Sequence, residues 1–244
     1  MLNTFVCRFA IAMILTVNLV GCSVEVGYDS CLNDDIVESV ESAFDLIQSD
    51  LKYDVKNKIE KIKESIYKYS FNESQDLQLP ELPTGCEAVA LTTLLRMNGI
   101  EVTKFEVADA MPKNYEGNFV YSFWGDPYST TGWACMAPCS VNLANEFLED
   151  SEKEAVELTG MELTSLPLPS AVWVTIGLGY PSSAGMWQDG YPLFYNTHCM
   201  VVTEIDGNVV KVVDPLVGIT EYELDNFIYV YNTLGSQAVH IKAL

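Results

Sequence analysis

The spacing of apolar residues changes several times along this chain, and each change marks an element. Residues 9–20 form a nearly unbroken apolar run. It is too short to cross a bilayer, which takes about twenty residues. Residues 34–69 repeat differently: Ile36, Val40, Ile47, Leu51, Val55, Ile59, Ile62 and Ile66 recur mostly every three or four positions, with no Gly or Pro among them. That period predicts a long amphipathic helix, and Asn33 before Asp34 and Asp35 suits its start. Residues 86–98 are rich in Ala, Leu and Met and stop at Gly99. They predict a buried helix with Thr84 or Gly85 at its N-cap and a glycine just past its end. Thr103 and Glu106 have the spacing of a capping box for a short helix. Residues 171–176 read as a buried strand, 223–231 as a short helix, and the segment around His240 as a terminal strand. Two β-branched runs, 198–205 and 209–214, flank the turn signal Asp206-Gly207-Asn208 and predict a hairpin.

Composition narrows the function classes. The 244 residues are 49% hydrophobic and 19% charged, which excludes disorder of the whole chain. Thirteen Lys and Arg face thirty-four Asp and Glu, a formal net charge of −21. Nucleic acid is not an expected partner, because that binding draws on Lys/Arg contacts to phosphate. Seven cysteines are too few for a disulfide-framed miniprotein of this length.

The apolar run has the length of a secretory signal core. It ends in Leu19-Val20-Gly21-Cys22, which resembles the lipobox of bacterial lipoproteins. That resemblance implies cleavage before Cys22, a diacylglycerol on its thiol, and a mature chain on the outer face of a bacterial membrane. The alternative is ordinary secretion with an incidental cysteine. The organisation that follows is a signal peptide over 1–21, a tether over 22–33, the amphipathic helix or stalk over 34–71 and a catalytic domain over 72–244. The helix reads either as a stalk or docked element, or as a dimerising coiled coil.

The chemistry centres on Cys86, placed in the first turn of the predicted buried helix. The thiolate is the nucleophilic form, and the partial positive charge of a helix N-terminus favours it. The same cysteine could equally be a small buried filler. A nucleophilic cysteine needs a base, and the chain holds only two histidines, His198 and His240. His198 opens one hairpin strand and Asp214 closes the other. Parity decides whether they meet. A two-residue Asp206-Gly207 loop pairs 198 with 215 and separates the two side chains. A three-residue loop over 206–208 pairs 198 with 216 and 214 with 200, and puts both on one face. Asn208 tolerates the left-handed backbone such a loop needs, so the three-residue loop is expected. Asp214 would then orient the His198 ring.

Pro83-Thr84-Gly85-Cys86-Glu87-Ala88, then His198-Cys199-Met200, then Val213-Asp214-Pro215-Leu216-Val217-Gly218 resemble the cysteine peptidase-like family related to the bacteriocin-processing (double-glycine leader) peptidase domains. The segments Trp124–Trp133 and Leu234–Val239 resemble its extracellular branch. The resemblance covers about residues 78–244. It implies an α+β papain-like fold, in which a central helix packs on an antiparallel sheet. It also implies a Cys86–His198–Asp214 order of nucleophile, base and orienter. The family's upstream glutamine, an oxyanion donor, maps onto Gln78, with Gln75 as the fallback. The substrate is a peptide or a cell-wall-derived amide. No metal or organic cofactor is implied.

Other functions stay open at this point. A catalytically silent binding module would share the fold, and a deamidase, transferase or cell-wall amidase would share the triad. Trp124, Asp126 and Trp133 belong to an aromatic, turn-rich loop that either borders the substrate groove or is a packed surface loop. Asp126 is the runner-up acid. Cys135, Cys139 and the adjacent His198-Cys199 pair do not have the usual zinc spacing. A disulfide among Cys31, Cys135, Cys139 and Cys199 is a further expectation for a chain outside the cell.

Overall fold

A computed structural model describes residues 77–182 and 185–244, together with five isolated helical positions between Tyr53 and Lys61. The predicted signal peptide, Cys22, the tether and nearly all of the amphipathic helix lie outside the described residues. The chain divides into two compact units, Met1–Ile59 and Glu60–Leu244. Everything that follows concerns the second.

Its frame is an antiparallel sheet of six strands. These are β3 (Lys153–Glu157), β4 (Ser170–Thr175), β7 (Thr197–Asp206), β8 (Val209–Asp214), β9 (Gly218–Glu223) and β10 (Ala238–Ala243), in the spatial order β3-β10-β4-β7-β8-β9. Two short pairs lie outside it: β1 (Lys113–Asn114) with β2 (Phe123–Trp124), and β5 (Met186–Gln188) with β6 (Tyr191–Leu193). All six residues of β4 are buried. This central strand is covered on both faces, so its sequence reads as one apolar run rather than an alternation.

Helix α1 (Cys86–Met97) packs against β7 and is buried along ten of its twelve residues. Gly85 is its N-cap, without a side-chain cap. Thr84, the other candidate, points its hydroxyl to the carbonyls of Asp126 and Ser129 instead. Glycine fits here because a Cβ would stand 2.9 Å from Leu82 Cβ. The chain leaves the helix through Asn98 and Gly99, the latter at φ +82° as a left-handed terminator requires. Helix α2 (Lys104–Ala110) starts at the full Thr103–Glu106 capping box. Helix α3 (Ala137–Leu148) and helix α4 (Leu224–Thr233) complete the layer set. Trp173 of β4 is fully buried in the core, its indole N–H donating to the Cys135 carbonyl at 2.8 Å.

The hairpin differs from expectation in an informative way. The loop has two residues, Gly207 and Asn208, with Asp206 opposite Val209 and Gly207 at φ +56°. The three-residue loop does not form. A β-bulge between Val202 and Glu204 then absorbs the missing residue, so that Val202 faces Val212 and Val201 faces Val213. A bulge sets two residues against one and flips the parity beyond it. Past the bulge the register is the one that puts positions 198 and 214 on the same face. The extra residue sits in the strand because Thr203 can bond there, its hydroxyl donating to the Lys211 carbonyl at 3.1 Å.

Candidate active site

Gly85 as N-cap makes Cys86 the first residue of α1, with a thiol that is 6% exposed. That thiol donates to Oε2 of Glu87 at 3.2 Å. Burial pushes the thiol well above its ordinary pKa, and the neighbouring Glu87 and Cys199 push it further. The helix N-terminus works against both effects.

His198 is the second residue of β7 and is 1% exposed. Its Nε2 lies 2.7 Å from Asp214 Oδ1. An ionised carboxylate only accepts, so Nε2 carries the proton and Nδ1 is the nitrogen left for the cleft. Asp214 ends β8 and has three donors: His198, the Leu216 amide at 2.8 Å on Oδ1, and the Tyr222 hydroxyl at 3.0 Å on Oδ2. Burial alone would raise the Asp214 carboxyl, but these donors, led by His198, outweigh it and hold the group below the usual Asp range. Tyr222, on β9, is pushed the other way by its own burial and by the Asp214 charge, and remains a donor.

Gln78 is also buried, and its backbone amide donates to the Pro215 carbonyl at 2.8 Å. That bond ties the segment entering α1 to the turn after Asp214. One side-chain N–H goes to the Pro83 carbonyl at 3.0 Å, while Oε1 is buried without a partner among the described residues. Gln75 lies outside the described residues.

Cys86, His198 and Gln78 line one cleft of about 500 Å³, closed by Trp133, Tyr195, Ile176 and Leu216 among others. Among the described residues, no Asp, Glu, Lys or Arg lines it, although the chain carries a net charge of −21. Trp133 reaches the cleft because two glycines let the aromatic loop fold back on itself. A Cβ on Gly125 would meet Gly132 Cα at 2.8 Å, and one on Gly132 would run into Thr84 Oγ1 and Asp126 O. Trp124 does not line the cleft but backs Trp133, with ring centroids 4.6 Å apart and planes 7° from parallel. Trp133 in turn meets Tyr195 at 5.1 Å. Asp126 does not line the cleft; it takes the Tyr128 amide and an ion pair with Lys113 at 3.5 Å. It is a turn former.

The model of the Peptidase_C39 like family matches residues 68–239. The chain belongs to that family. It is a cysteine peptidase by membership, and its helix on an antiparallel sheet is the papain-like arrangement of C39 peptidases. A solved structure described as a C39-like peptidase from Bacillus anthracis is 25% identical, with a TM-score of 0.62, over 69% of this chain and 93% of that one. Two more distant structures also align. A double glycine motif protease from an AMS/PCAT transporter, in complex with the leader peptide, is 17% identical over 69% of this chain and 89% of its own, with a TM-score of 0.44. The peptidase domain of Streptococcus ComA is 14% identical over 66% and 92%, with a TM-score of 0.39. No curated protein matches the chain.

Within this C39-like domain the remaining candidates have structural places. Cys86, Cys135, Cys139 and Cys199 are buried free thiols, so the disulfide expected among Cys135, Cys139 and Cys199 is not formed; Cys31 lies outside the described residues. Buried thiols of this kind behave as small core residues. His240 rests against the Pro169 carbonyl at 2.9 Å in β10 and takes no part in the cleft. Two residues that sequence reading missed matter. Tyr222 could have been found as the aromatic partner of Asp214 across the next strand. Glu87 could have been found as the one acid on a mostly apolar helix.

Proposed function

We propose that this peptidase cleaves peptide bonds with Cys86 as nucleophile, His198 as general base and then acid, and Asp214 as the group that orients the ring. The observation that carries the reading is the His198–Asp214 pair at 2.7 Å, whose histidine lines the same cleft as a cysteine at a helix N-terminus. His198 Nδ1 takes the thiol proton and the resulting thiolate attacks the substrate carbonyl. The protonated ring then gives that proton to the leaving amine as the C–N bond breaks. Water, deprotonated by the neutral ring, hydrolyses the acyl-enzyme. In this reading the second N–H of Gln78 Nε2 and the Cys86 amide receive the oxyanion. Extended peptide with uncharged side chains next to the scissile bond suits a cleft lined by Trp133, Tyr195, Leu79 and Leu216. The lipobox-like sequence supports attachment through Cys22 to the outer face of a bacterial membrane.

The test is digestion of a mixed fluorogenic peptide library by the full-length protein and by Cys86→Ala. Cleavage by the first and loss above about a thousandfold in the second are expected. Cleavage that survives in Cys86→Ala would overturn the assignment. For the anchor, mass analysis of the mature N-terminus from bacterial membranes should find a diacylglyceryl group on Cys22. An unmodified residue there would refute it.

A further inference from the structure

Glu87 is fully buried beside the nucleophile and is the one acid on its helix. Both of its carboxyl oxygens are engaged. Oε2 accepts from the Cys86 thiol at 3.2 Å and Oε1 from the Cys135 amide at 3.3 Å. Among the described residues, the titratable groups that face this carboxyl are thiols: Cys86 on its own helix, Cys135 on the segment leading into α3, and Cys199 on β7. No cation faces it there to compensate a charge.

Two negative charges a few ångströms apart in such a site repel strongly, so the contact favours a single one. One arrangement is a Glu87 carboxylate accepting from a Cys86 thiol. The other is a neutral Glu87 carboxyl donating to a Cys86 thiolate. The second holds one proton more: the thiol proton has moved to His198 Nδ1, and the carboxyl has taken one from solvent. The second is the reactive one, with the His198 imidazolium facing the thiolate.

We propose that Glu87 is a fourth acid–base group of the active site, which supports the Cys86 thiolate when neutral and holds Cys86 as a thiol when ionised. It rests on Cys86 being the nucleophile. Burial pushes the Glu87 carboxyl up to about 7, so the loss of its proton falls where a cysteine peptidase works. The enzyme then loses its reactive thiolate on the alkaline side, where a thiolate–imidazolium pair alone would keep it.

The experiment is the rate of Cys86 alkylation by iodoacetamide from pH 5 to 9 in the full-length protein, mapped by peptide mass spectrometry, for wild type, Glu87→Gln and His198→Ala. Glutamine keeps an oxygen for the Cys135 amide and offers a permanent N–H to the thiolate. In wild type the rate should rise, then fall above pH 7; at pH 8.5 about thirtyfold less of the neutral carboxyl remains than at pH 6, for a group titrating near 7. In Glu87→Gln the fall should vanish. The wild-type profile is informative even if Glu87→Gln does not fold: a flat plateau from pH 7 to 9 overturns the inference. A fall of equal size in Glu87→Gln overturns it as well. In both of those cases His198-dependent reactivity below pH 7 leaves the triad standing. A Cys86 inert at every pH in every variant overturns both the triad and Glu87's role.

Discussion

Asp214→Asn isolates the electrostatic part of the proposed triad. Asparagine is nearly isosteric, and its oxygen can accept from both His198 Nε2 and the Leu216 amide, which now share Oδ1. Its Nδ2 would face Tyr222, whose hydroxyl can turn to accept. Geometry should therefore survive, and the charge is what is lost. A carboxylate and an imidazolium whose charge centres are about 4 Å apart interact by about 4 kcal/mol at an effective dielectric constant near 20. Some of this is offset, because the variant no longer buries a carboxylate. A net loss of about 3 kcal/mol in stabilising the imidazolium corresponds to a rate falling by about a hundredfold. The assay is kcat/KM at pH 6.5 on a peptide from the library screen, with thermal unfolding in parallel. A drop of one to three orders of magnitude with Tm little changed is expected. A variant within threefold of wild type would refute the electrostatic role. The pH dependence of stability carries a second sign. The native Asp214 carboxyl lies below its unfolded value, so its contribution is present at neutral pH and disappears as pH falls through the acid range below about 4. Asp214→Asn should flatten that part of the acid-unfolding curve.

Three further outcomes follow from other contacts. Tyr222→Phe removes one hydrogen bond to a charged, buried oxygen and should cost about 1–3 kcal/mol of stability by urea unfolding, with kcat falling more than KM changes. Gly132→Ala should destabilise by about 1–3 kcal/mol and raise KM, because the added Cβ runs into Thr84 Oγ1 and Asp126 O and displaces the Trp133 wall; an unchanged KM would count against that wall as a substrate surface. Glu87→Gln should be more stable than wild type above pH 8 by about 3 kcal/mol and nearly equal to it below pH 4.5. The native carboxyl sits at about 7 against 4.5 unfolded, so stability is lost as pH rises through that window.

Much of this site is legible in the chain, because its parts are local. Cys86 at a helix start follows from the glycine before it and the apolar run after it. The Thr103–Glu106 box, the buried strand at β4 and the helix before the last strand are likewise short-range patterns, and each stands where its spacing predicts. Parity predicts the His198–Asp214 pairing, but the structure achieves it with a bulge rather than a three-residue loop. A bulge in mid-strand and an extra loop residue change parity identically, and no residue type distinguishes them until Thr203 is seen to bond Lys211. The aromatic loop shows a similar limit. Composition marks Trp124 and Trp133 alike, yet only the backbone closure at Gly125 and Gly132 decides that Trp133 lines the cleft and Trp124 backs it. Glu87 adjoins Cys86 in sequence, but its burial and its bond to the Cys135 amide, 48 residues away, exist only in the folded chain.

The central claim is that Cys86 draws its reactivity from His198. Its most direct test is the rate of iodoacetamide labelling at pH 6 for each cysteine, in wild type and His198→Ala. Cys86 should react far faster than Cys135, Cys139 and Cys199, all buried alike, and His198→Ala should erase that difference. Equal labelling in the two proteins, or a Cys86 as slow as the other three, would contradict it.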